Sequence, residues 1–307
     1  MTACTVPPAL PPGGVIGVAA PSGPVDAARL ANGLALLHGA GFEVALAPGL
    51  LERRAYLAGD DRARAADLRA LLADPGVDAV ICARGGYGAM RLLAYCDFAA
   101  LRRSPKALAG FSDATALHLA FAAQGLVSFH GPMLECRASE AAAANLDELL
   151  RVLRGEPALG PSGRAERAPQ RICPGRARGA VVGGNLTLVA ASLGTPWEID
   201  ATGRLLLLED VGEPPYRLDR YLTQLEAAGK LAAAAGFLIG ELAGCEGAPG
   251  DPAPLQVFAE RLQPLGRPCL ADLPFGHGAR KRTLPLGVQA ELDADAGCLR
   301  LLQPATA

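Results

Sequence analysis

The stretch KALAGFSDA, residues 106–114, joins an apolar strand to the start of a helix through one tight turn. Residues Lys106–Phe111 fit a buried strand, and a helical pattern follows from Asp113 to Gln124. Strand followed by helix recurs through the first half of the chain. This alternation predicts an α/β protein with a parallel sheet and helices on both faces.

Other apolar runs of the first half continue the alternation. The predicted strands are Val15–Ala20, Phe42–Leu46, Val77–Ala83 and Leu126–His130. The helices predicted between them are Asp26–His38, Asp60–Ala73 and one that opens after Gly88. Ligands bind such sheets at the carboxyl ends of the strands. We therefore expect the loops 21–24, 84–88 and 110–114 to form one site.

In the second half of the chain, the predicted strands are more prominent than the predicted helices. A helix over 138–154 is followed by a segment rich in Pro, Gly and Arg. We predict a first domain over 1–155 that carries the nucleophile, a linker over 156–178, and a smaller β-rich domain over 179–307.

Composition excludes several classes of partner. Of 307 residues 50% are hydrophobic, the formal net charge is −2, and no long basic run exists, so neither nucleic acid nor a membrane surface is an expected partner. No apolar stretch is long enough to span a bilayer, and the N-terminus does not resemble a signal peptide. Eight cysteines without CxxC spacing predict no metal, no cofactor and a reducing, cytoplasmic location.

Ser112 lies on the turn, with Gly110 and Ala114 two residues away on either side. A nucleophile elbow needs small residues there because strand and helix approach closely around a strained turn. The G-x-S-x-G pattern is half met, since Ala114 stands at the second glycine position. The backbone N–H of Asp113, at the helix start, suits an oxyanion. The alternative is an ordinary N-cap serine, which the pentapeptide alone favours.

A second glycine turn, RGGYG over 84–88, follows a predicted strand. Its glycines allow the backbone to approach a ligand closely. The spacing matches neither the dinucleotide fingerprint nor the P-loop. By itself, the motif is equally typical of a tight turn.

Among the four histidines, His277 is the best candidate for a base, because it stands between two glycines in a polar loop with no core role to explain it. We interpret His118, on the helix after Ser112, as structural. His130 ends the fifth predicted strand, at the edge where the cleft is expected.

Glu209 and Asp210 end an apolar strand that begins at Arg204. Adjacent strand residues point to opposite faces, so one acid can face a site while the other is solvated or structural. Two acids that simply end a strand are an equally good explanation of this segment alone. A serine, an acid and a histidine in loops or strand ends can form a nucleophile with an oriented base.

Taken together, the motifs resemble the LD-carboxypeptidases, a serine peptidase family that includes muramoyl-tetrapeptide carboxypeptidases and microcin C self-immunity proteins. The matching segments, in family order, are ARGGYG (83–88), GFSD (110–113), FHGPM (129–133), GGNL (183–186), LEDVGEPPYRLDR (208–220), GH (276–277) and LPLG (284–287). The resemblance covers residues 14–301, and segment 208–220 is its most specific part.

The resemblance implies a triad in which Ser112 is the nucleophile, His277 the general base and Glu209 the carboxylate that orients it. The implied oxyanion hole is formed by backbone N–H groups of Asp113, Gly85 and Gly86. The implied fold is a flavodoxin-like α/β first domain with a parallel sheet, joined to a β-rich second domain, often as a homodimer.

The implied reaction is hydrolysis of the L,D amide bond that releases terminal D-alanine from murein tetrapeptides, in peptidoglycan recycling. The partner is then a small peptide or muropeptide. Such an enzyme must also bind a free carboxylate. Arg84 is the candidate, because a guanidinium pairs bidentately with a carboxylate; a salt bridge at a helix start is its alternative explanation.

Three other functions compete with this one. Hydrolysis of microcin C-like peptidyl-nucleotides would favour an aromatic platform for adenine, and the sole tryptophan, Trp197, gives little sign of a dedicated loop. A non-catalytic binder on the same fold is disfavoured by the presence of all three triad residues. An α/β-hydrolase esterase would need one domain and usually a complete G-x-S-x-G.

Overall fold

The computed structural model of the protein describes residues 4–157 and 168–307. Along the chain its strands are β1 (Val15–Ala19), β2 (Glu43–Leu46), β3 (Ala79–Cys82), β4 (Ala107–Gly110), β5 (Ser128–His130), β6 (Gln170–Cys173), β7 (Arg176–Asn185), β8 (Leu205–Val211), β9 (Gly236–Ala243), β10 (Cys269–Ala271), β11 (Leu284–Leu286), β12 (Gln289–Asp293) and β13 (Cys298–Leu301).

The α-helices alternate with these strands. They are α1 (Ala27–Gly39), α2 (Asp61–Ala73), α3 (Ala89–Leu92), α4 (Thr115–Ala123), α5 (Glu140–Leu153), α6 (Leu186–Ala191), α7 (Pro215–Ala227), α8 (Lys230–Ala233) and α9 (Pro254–Leu262). Short 3₁₀ turns lie at Leu93–Tyr95, Phe98–Arg102, Ser112–Ala114 and Gln263–Leu265. Within the described ranges, no helix combines the length and apolar character needed to cross a membrane.

The first sheet has the strand order β11-β5-β4-β3-β1-β2, and β1 to β5 pair with their neighbours in parallel. The order 2-1-3-4-5 is that of flavodoxin-like sheets. Strands β3 and β4 are buried along their whole length, which fits their apolar sequences. The predicted α/β, flavodoxin-like fold of the first half is confirmed.

The second sheet has the strand order β13-β12-β7-β8-β9-β10-β6. Its centre, β7 to β10, is parallel, and its outer strands pair antiparallel. Leu205–Leu208 of β8 are all fully buried, between two hydrophobic clusters. The β-rich character predicted for the second half is thus confirmed, with a mixed sheet.

Two features differ from the predicted domain limits. Strand β11, from the second half, pairs antiparallel with β5 and so extends the first sheet. The predicted linker 156–178 lies outside the described residues from 158 to 167, and its later part forms β6 and the start of β7. Strand β6 was not predicted, because it is a four-residue strand at the edge of the second sheet, where apolar patterning is weak.

His118 fixes α4 to the first sheet. Its Nε2 lies 2.9 Å from the carbonyl oxygen of Gly110, which can only accept, so Nε2 carries the proton. Nδ1 then accepts from Oγ of Ser128 at 2.9 Å. Burial, followed by the neighbouring His130, lowers the pKa of His118 to about 3. The ring is therefore a neutral structural link between helix and sheet.

His118 makes a testable contribution to acid stability. Between its folded pKa of about 3 and its unfolded value of 6.5, the unfolded chain binds a proton that the folded chain does not. The contribution of His118 to the free energy of unfolding is fully present above the unfolded pKa of 6.5 and is lost as the pH falls toward the folded pKa of about 3. From about pH 7 to about pH 5, we expect the free energy of unfolding to fall by about 2 kcal/mol more in the wild type than in His118→Gln.

Urea denaturation at several pH values measures this difference. The exposed histidine of α1, His38, supplies the matched control His38→Gln, which should keep the wild-type pH dependence. An unchanged pH dependence in His118→Gln would show that His118 does not contribute in this way.

Candidate active site

Ser112 has a left-handed backbone, with φ of +62°. A non-glycine residue in this region carries strain of the order of 1–3 kcal/mol, and such strain concentrates at functional sites. A methyl group added to Gly110 would lie 3.0 Å from Cβ of Ala114 and 3.1 Å from Cβ of Cys82. The small residues around Ser112 thus permit the sharp strand-to-helix turn that a nucleophile elbow requires.

The alternative of an N-capping serine does not describe this turn. The cap position of the 3₁₀ turn is Phe111, and Ser112 is its first residue. An N-cap residue has an extended backbone, whereas Ser112 is left-handed.

Gly85, in the glycine turn after β3, lies against Ser112. A Cβ at Gly85 would lie 2.9 Å from Cβ and 3.0 Å from Oγ of Ser112, and 3.5 Å from the backbone nitrogen of Asp113. Only glycine fits this gap without displacing the serine side chain. The expected meeting of loops 84–88 and 110–114 is therefore observed.

The carboxylate of Asp113 links the turn at Ser112 to the end of the glycine turn. Its Oδ2 accepts a 2.7 Å hydrogen bond from the backbone N–H of Ala89, at the start of α3. Burial raises the pKa of Asp113, and the hydrogen bond from Ala89 opposes that rise. This contact holds the glycine turn at a fixed distance from Ser112.

His277 lies beside the elbow and is bound to Glu209. Nδ1 of His277 is 2.7 Å from Oε2 of Glu209, and the ring centre is 4.8 Å from that of Phe111, the residue before Ser112. Because the carboxylate is an acceptor, Nδ1 carries the proton and Nε2 is left free to accept one. The structure thus brings the predicted acid, base and serine loop together.

Glu209 is fully buried and has a second imidazole next to it. Nε2 of His130 lies 4.0 Å from its Oε1. Burial by itself raises the pKa of Glu209, but His130 and His277 outweigh it and hold the pKa below its usual value. Sequence reasoning assigned His130 only to the edge of the cleft, because nothing in the chain order links it to Glu209.

Asp210, the next residue, serves the opposite face of β8. Its Oδ1 accepts from Nδ2 of Asn185 at 2.8 Å, and its Oδ2 accepts from both N–H and Oγ1 of Thr187. It therefore fixes the start of α6, and the hydrogen bonds described for it do not involve His277. The alternation predicted for the two acids is observed.

The loop that carries His277 is anchored on the first half of the chain. Asn145 of α5 donates from Nδ2 to the carbonyl of Ala279 at 2.9 Å and accepts from the backbone N–H of Lys281 at 2.9 Å. Arg282 bonds to Glu148, also on α5, at 2.7 Å. The base is thus held by residues from both halves.

Lys281 brings a cation to the elbow, which sequence reasoning missed. Its Nζ lies 5.5 Å from the ring centre of Phe111 and donates to the carbonyl of Gly278. Burial lowers its pKa, and the nearby carboxylates Glu241 and Glu209 oppose this. In the sequence, Lys281 stands in a short basic run, RKR over residues 280–282, which by itself does not indicate a site.

Arg84 is held at the edge of the glycine turn. Its Nη1 donates to the carbonyl of Pro24 at 2.8 Å, and its Nε lies 3.7 Å from Oε2 of Glu135. The side chain is 39% exposed. Part of its guanidinium is therefore occupied, and its role in carboxylate binding stays a prediction.

Comparison with known families agrees with the motifs. Residues 16–131 match the LD-carboxypeptidase N-terminal domain, and residues 178–292 match the LD-carboxypeptidase C-terminal domain. The chain belongs to the LD-carboxypeptidase family. It is therefore a peptidase, and the family resemblance stated from the motifs is confirmed.

Two relatives cover nearly the whole chain. A Streptomyces coelicolor protein named as a carboxypeptidase is 47% identical to this chain, and the alignment covers 96% of each protein. The murein tetrapeptide carboxypeptidase of Pseudomonas aeruginosa is 33% identical over 92% of this LD-carboxypeptidase and 94% of the relative.

Solved structures agree in fold. The muramoyltetrapeptide carboxypeptidase of Oxalobacter formigenes has a TM-score of 0.80 and 30% identity, covering 94% of this chain and 97% of that one. The microcin C7 self-immunity protein MccF has a TM-score of 0.89 and 22% identity, covering 98% and 99%. At that identity, the likeness to MccF concerns the fold alone.

The contact between Gly85 and Ser112 predicts a position-specific effect. In Gly85→Ala the new methyl group displaces the serine side chain, so we expect peptidase kcat/KM to fall about 100-fold, as for other misplacements of about 1 Å. The measurement is steady-state peptide hydrolysis, with circular dichroism to verify folding. Gly39→Ala, where an added methyl group would meet no atom within 4 Å apart from its own helix and chain neighbours, should retain full activity. Equal activity of the two variants would contradict the close approach.

Proposed function

We propose that this LD-carboxypeptidase hydrolyses the L,D amide bond that releases terminal D-alanine from murein tetrapeptides, through an acyl-enzyme on Ser112. One observation carries the serine mechanism. The strained Ser112 follows Phe111, whose ring centre lies 4.8 Å from that of His277, and Nδ1 of His277 is hydrogen-bonded to the buried carboxylate of Glu209 at 2.7 Å. Strain, a base and an orienting acid are what serine activation needs.

In this mechanism, Oγ of Ser112 attacks the carbonyl carbon of the scissile amide while Nε2 of His277 takes the hydroxyl proton. Glu209 stabilises the imidazolium that forms. His277 then gives the proton to the leaving nitrogen, the C–N bond breaks, and D-alanine departs. Water attacks the ester with His277 again as the base, which releases the shortened peptide and restores Ser112.

The negative charge of the tetrahedral intermediate needs hydrogen-bond donors next to Ser112. We assign this role to backbone N–H groups of Asp113, Gly85 and Gly86. The close approach of Gly85 to Oγ of Ser112 supports the assignment. Backbone donors fixed in advance are worth about 3 kcal/mol each to such a transition state.

The substrate class rests on the relatives. The proteins named as acting on murein or muramoyl tetrapeptides are 33% and 30% identical to this chain over more than nine-tenths of its length. The likeness to MccF reaches only 22% identity and supports its substrate less. A murein peptide is therefore the favoured substrate.

We assign the enzyme to peptidoglycan recycling in the cytoplasm, as a homodimer. All eight cysteines are free thiols, which suits a reducing compartment. The homodimer rests on the family resemblance.

Disaccharide-tetrapeptide is the deciding substrate. We expect the wild type to release one D-alanine per molecule, visible by mass spectrometry, and Ser112→Ala to lose at least about 10⁴-fold in kcat because the nucleophile is gone. Ser112→Ala keeps every backbone donor and so is a control for substrate binding. Retained hydrolysis in Ser112→Ala would refute the acyl-enzyme.

Two other outcomes separate the competing functions. Cleavage of an aminoacyl sulfamoyl adenosine but not of the tetrapeptide would favour the peptidyl-nucleotide function. Tight binding of the tetrapeptide without turnover, and no labelling by a fluorophosphonate, would favour a non-catalytic binder.

The terminal carboxylate of the substrate needs a cation. Lys281 lies against Phe111 of the elbow, and Arg84 directly precedes the glycine that approaches Ser112. Arg84 is the residue we assign first, since guanidinium binds carboxylate bidentately. We expect Arg84→Ala to raise KM on the tetrapeptide about 10- to 100-fold, the loss of one charge-assisted hydrogen bond. Lys281→Ala is the parallel measurement. A full effect in Lys281→Ala with none in Arg84→Ala would transfer the role to Lys281.

A further inference from the structure

His130 is buried beside Glu209, and its side chain makes no hydrogen bond within the described residues. It is 1% exposed, and neither of its ring nitrogens has a hydrogen-bond partner among the described residues. Oε1 of Glu209 is likewise buried without one. These groups face each other, with Nε2 of His130 4.0 Å from Oε1 of Glu209.

Buried polar groups are nearly always hydrogen-bonded, so two unpartnered groups that face one another call for an explanation. The separation exceeds a hydrogen bond by less than 1 Å. Catalytic hydrogen bonds in ligand-free enzymes are often long and shorten when substrate binds. A donor and an acceptor at this spacing are therefore poised to bond.

The surroundings of His130 leave Glu209 as its natural partner. The groups that face it are the neutral His118 of α4, with ring centres 6.3 Å apart, the ring of Phe111 at 6.1 Å, and Glu209 of β8. His118 already uses both nitrogens on Ser128 and Gly110. Phe111 offers only an aromatic edge or face, so Glu209 is the one carboxylate among the described residues that lies within ion-pair distance of His130.

We propose that His130 is a positioning residue that donates from Nε2 to Oε1 of Glu209, and so fixes the carboxylate that orients His277. Glu209 is then held at both oxygens, by His277 on Oε2 and by His130 on Oε1. A carboxylate that is hydrogen-bonded through only one oxygen can rotate about its Cγ–Cδ bond, and the imidazole of His277 would then move with it. This inference rests on the triad of the proposed function.

The test measures activation of Ser112 without a peptide substrate. A fluorophosphonate that labels Ser112 gives a maximal inactivation rate, kinact, and a binding constant, KI. We expect His130→Phe, which keeps a ring but has no donor, to lower kinact about 10- to 100-fold with KI changed less than about twofold. His130→Gln places an amide N–H near the position of Nε2 and should recover kinact to within about threefold of the wild type.

A double-mutant cycle tests the route through Glu209. In Glu209→Gln, the second substitution His130→Phe should lower kinact by less than about twofold, because the group it positions is gone. Melting temperatures of all variants verify folding at the assay temperature.

Three results would overturn the proposal. The first is a wild-type kinact in His130→Phe. The second is an equal loss of kinact in folded His130→Phe and His130→Gln. The third is a double variant in which His130→Phe lowers kinact as much in the Glu209→Gln background as in the wild type. Failure of the substrate proposal is separate, since it would appear as labelling of Ser112 without release of D-alanine from the tetrapeptide.

Discussion

Glu209 holds an ionised carboxylate with no exposure to solvent, on a strand of the second sheet, and the organisation of the site follows from that burial. An ion taken out of water costs several kcal/mol unless charged or polar neighbours replace the lost solvation. The two imidazoles supply this compensation: His277 at 2.7 Å on one oxygen and His130 at 4.0 Å from the other. His277 comes from a loop of the second half and His130 from the first sheet, so the burial of one carboxylate requires both halves.

Several contacts unite those halves around the acid. Strand β11, which follows the loop of His277, is a strand of the first sheet, and Asn145 of α5 holds that loop through two hydrogen bonds. On the other side, Oγ1 of Thr115 accepts from the backbone N–H of Asn185 at 3.0 Å. A side chain at Gly184 would clash with Thr115, so glycine is needed where β7 meets the elbow helix. The contacts between the two halves therefore lie beside the turn of Ser112 and the loop of His277.

The turn at Ser112 is the second requirement. Its left-handed backbone is stable only because the residues around it leave room: Gly110 and Ala114 where strand meets helix, and Gly85 against the side chain. The hydrogen bond from the backbone N–H of Ala89 to the carboxylate of Asp113 joins the two loops. The strain at the serine is thus compensated by packing and hydrogen bonds that come from β3, β4 and their following turns.

The sequence by itself determined the alternation of strands and helices in the first half, because periodicity and turn residues are local signals. It also indicated Ser112, Glu209 and His277, through their motifs and through the family that those motifs resemble. It did not determine the edge strand β6, whose apolar patterning is weak, nor the pairing of β11 with β5, because the partner of an edge strand depends on the fold. It placed His130 at the edge of the cleft without linking it to Glu209, and it did not single out Lys281. Both residues reach the site because β5 and the loop before β11 meet there. Only the tertiary structure decided that one buried carboxylate faces two imidazoles, because that arrangement depends on how two sheets pack and not on any spacing along the chain.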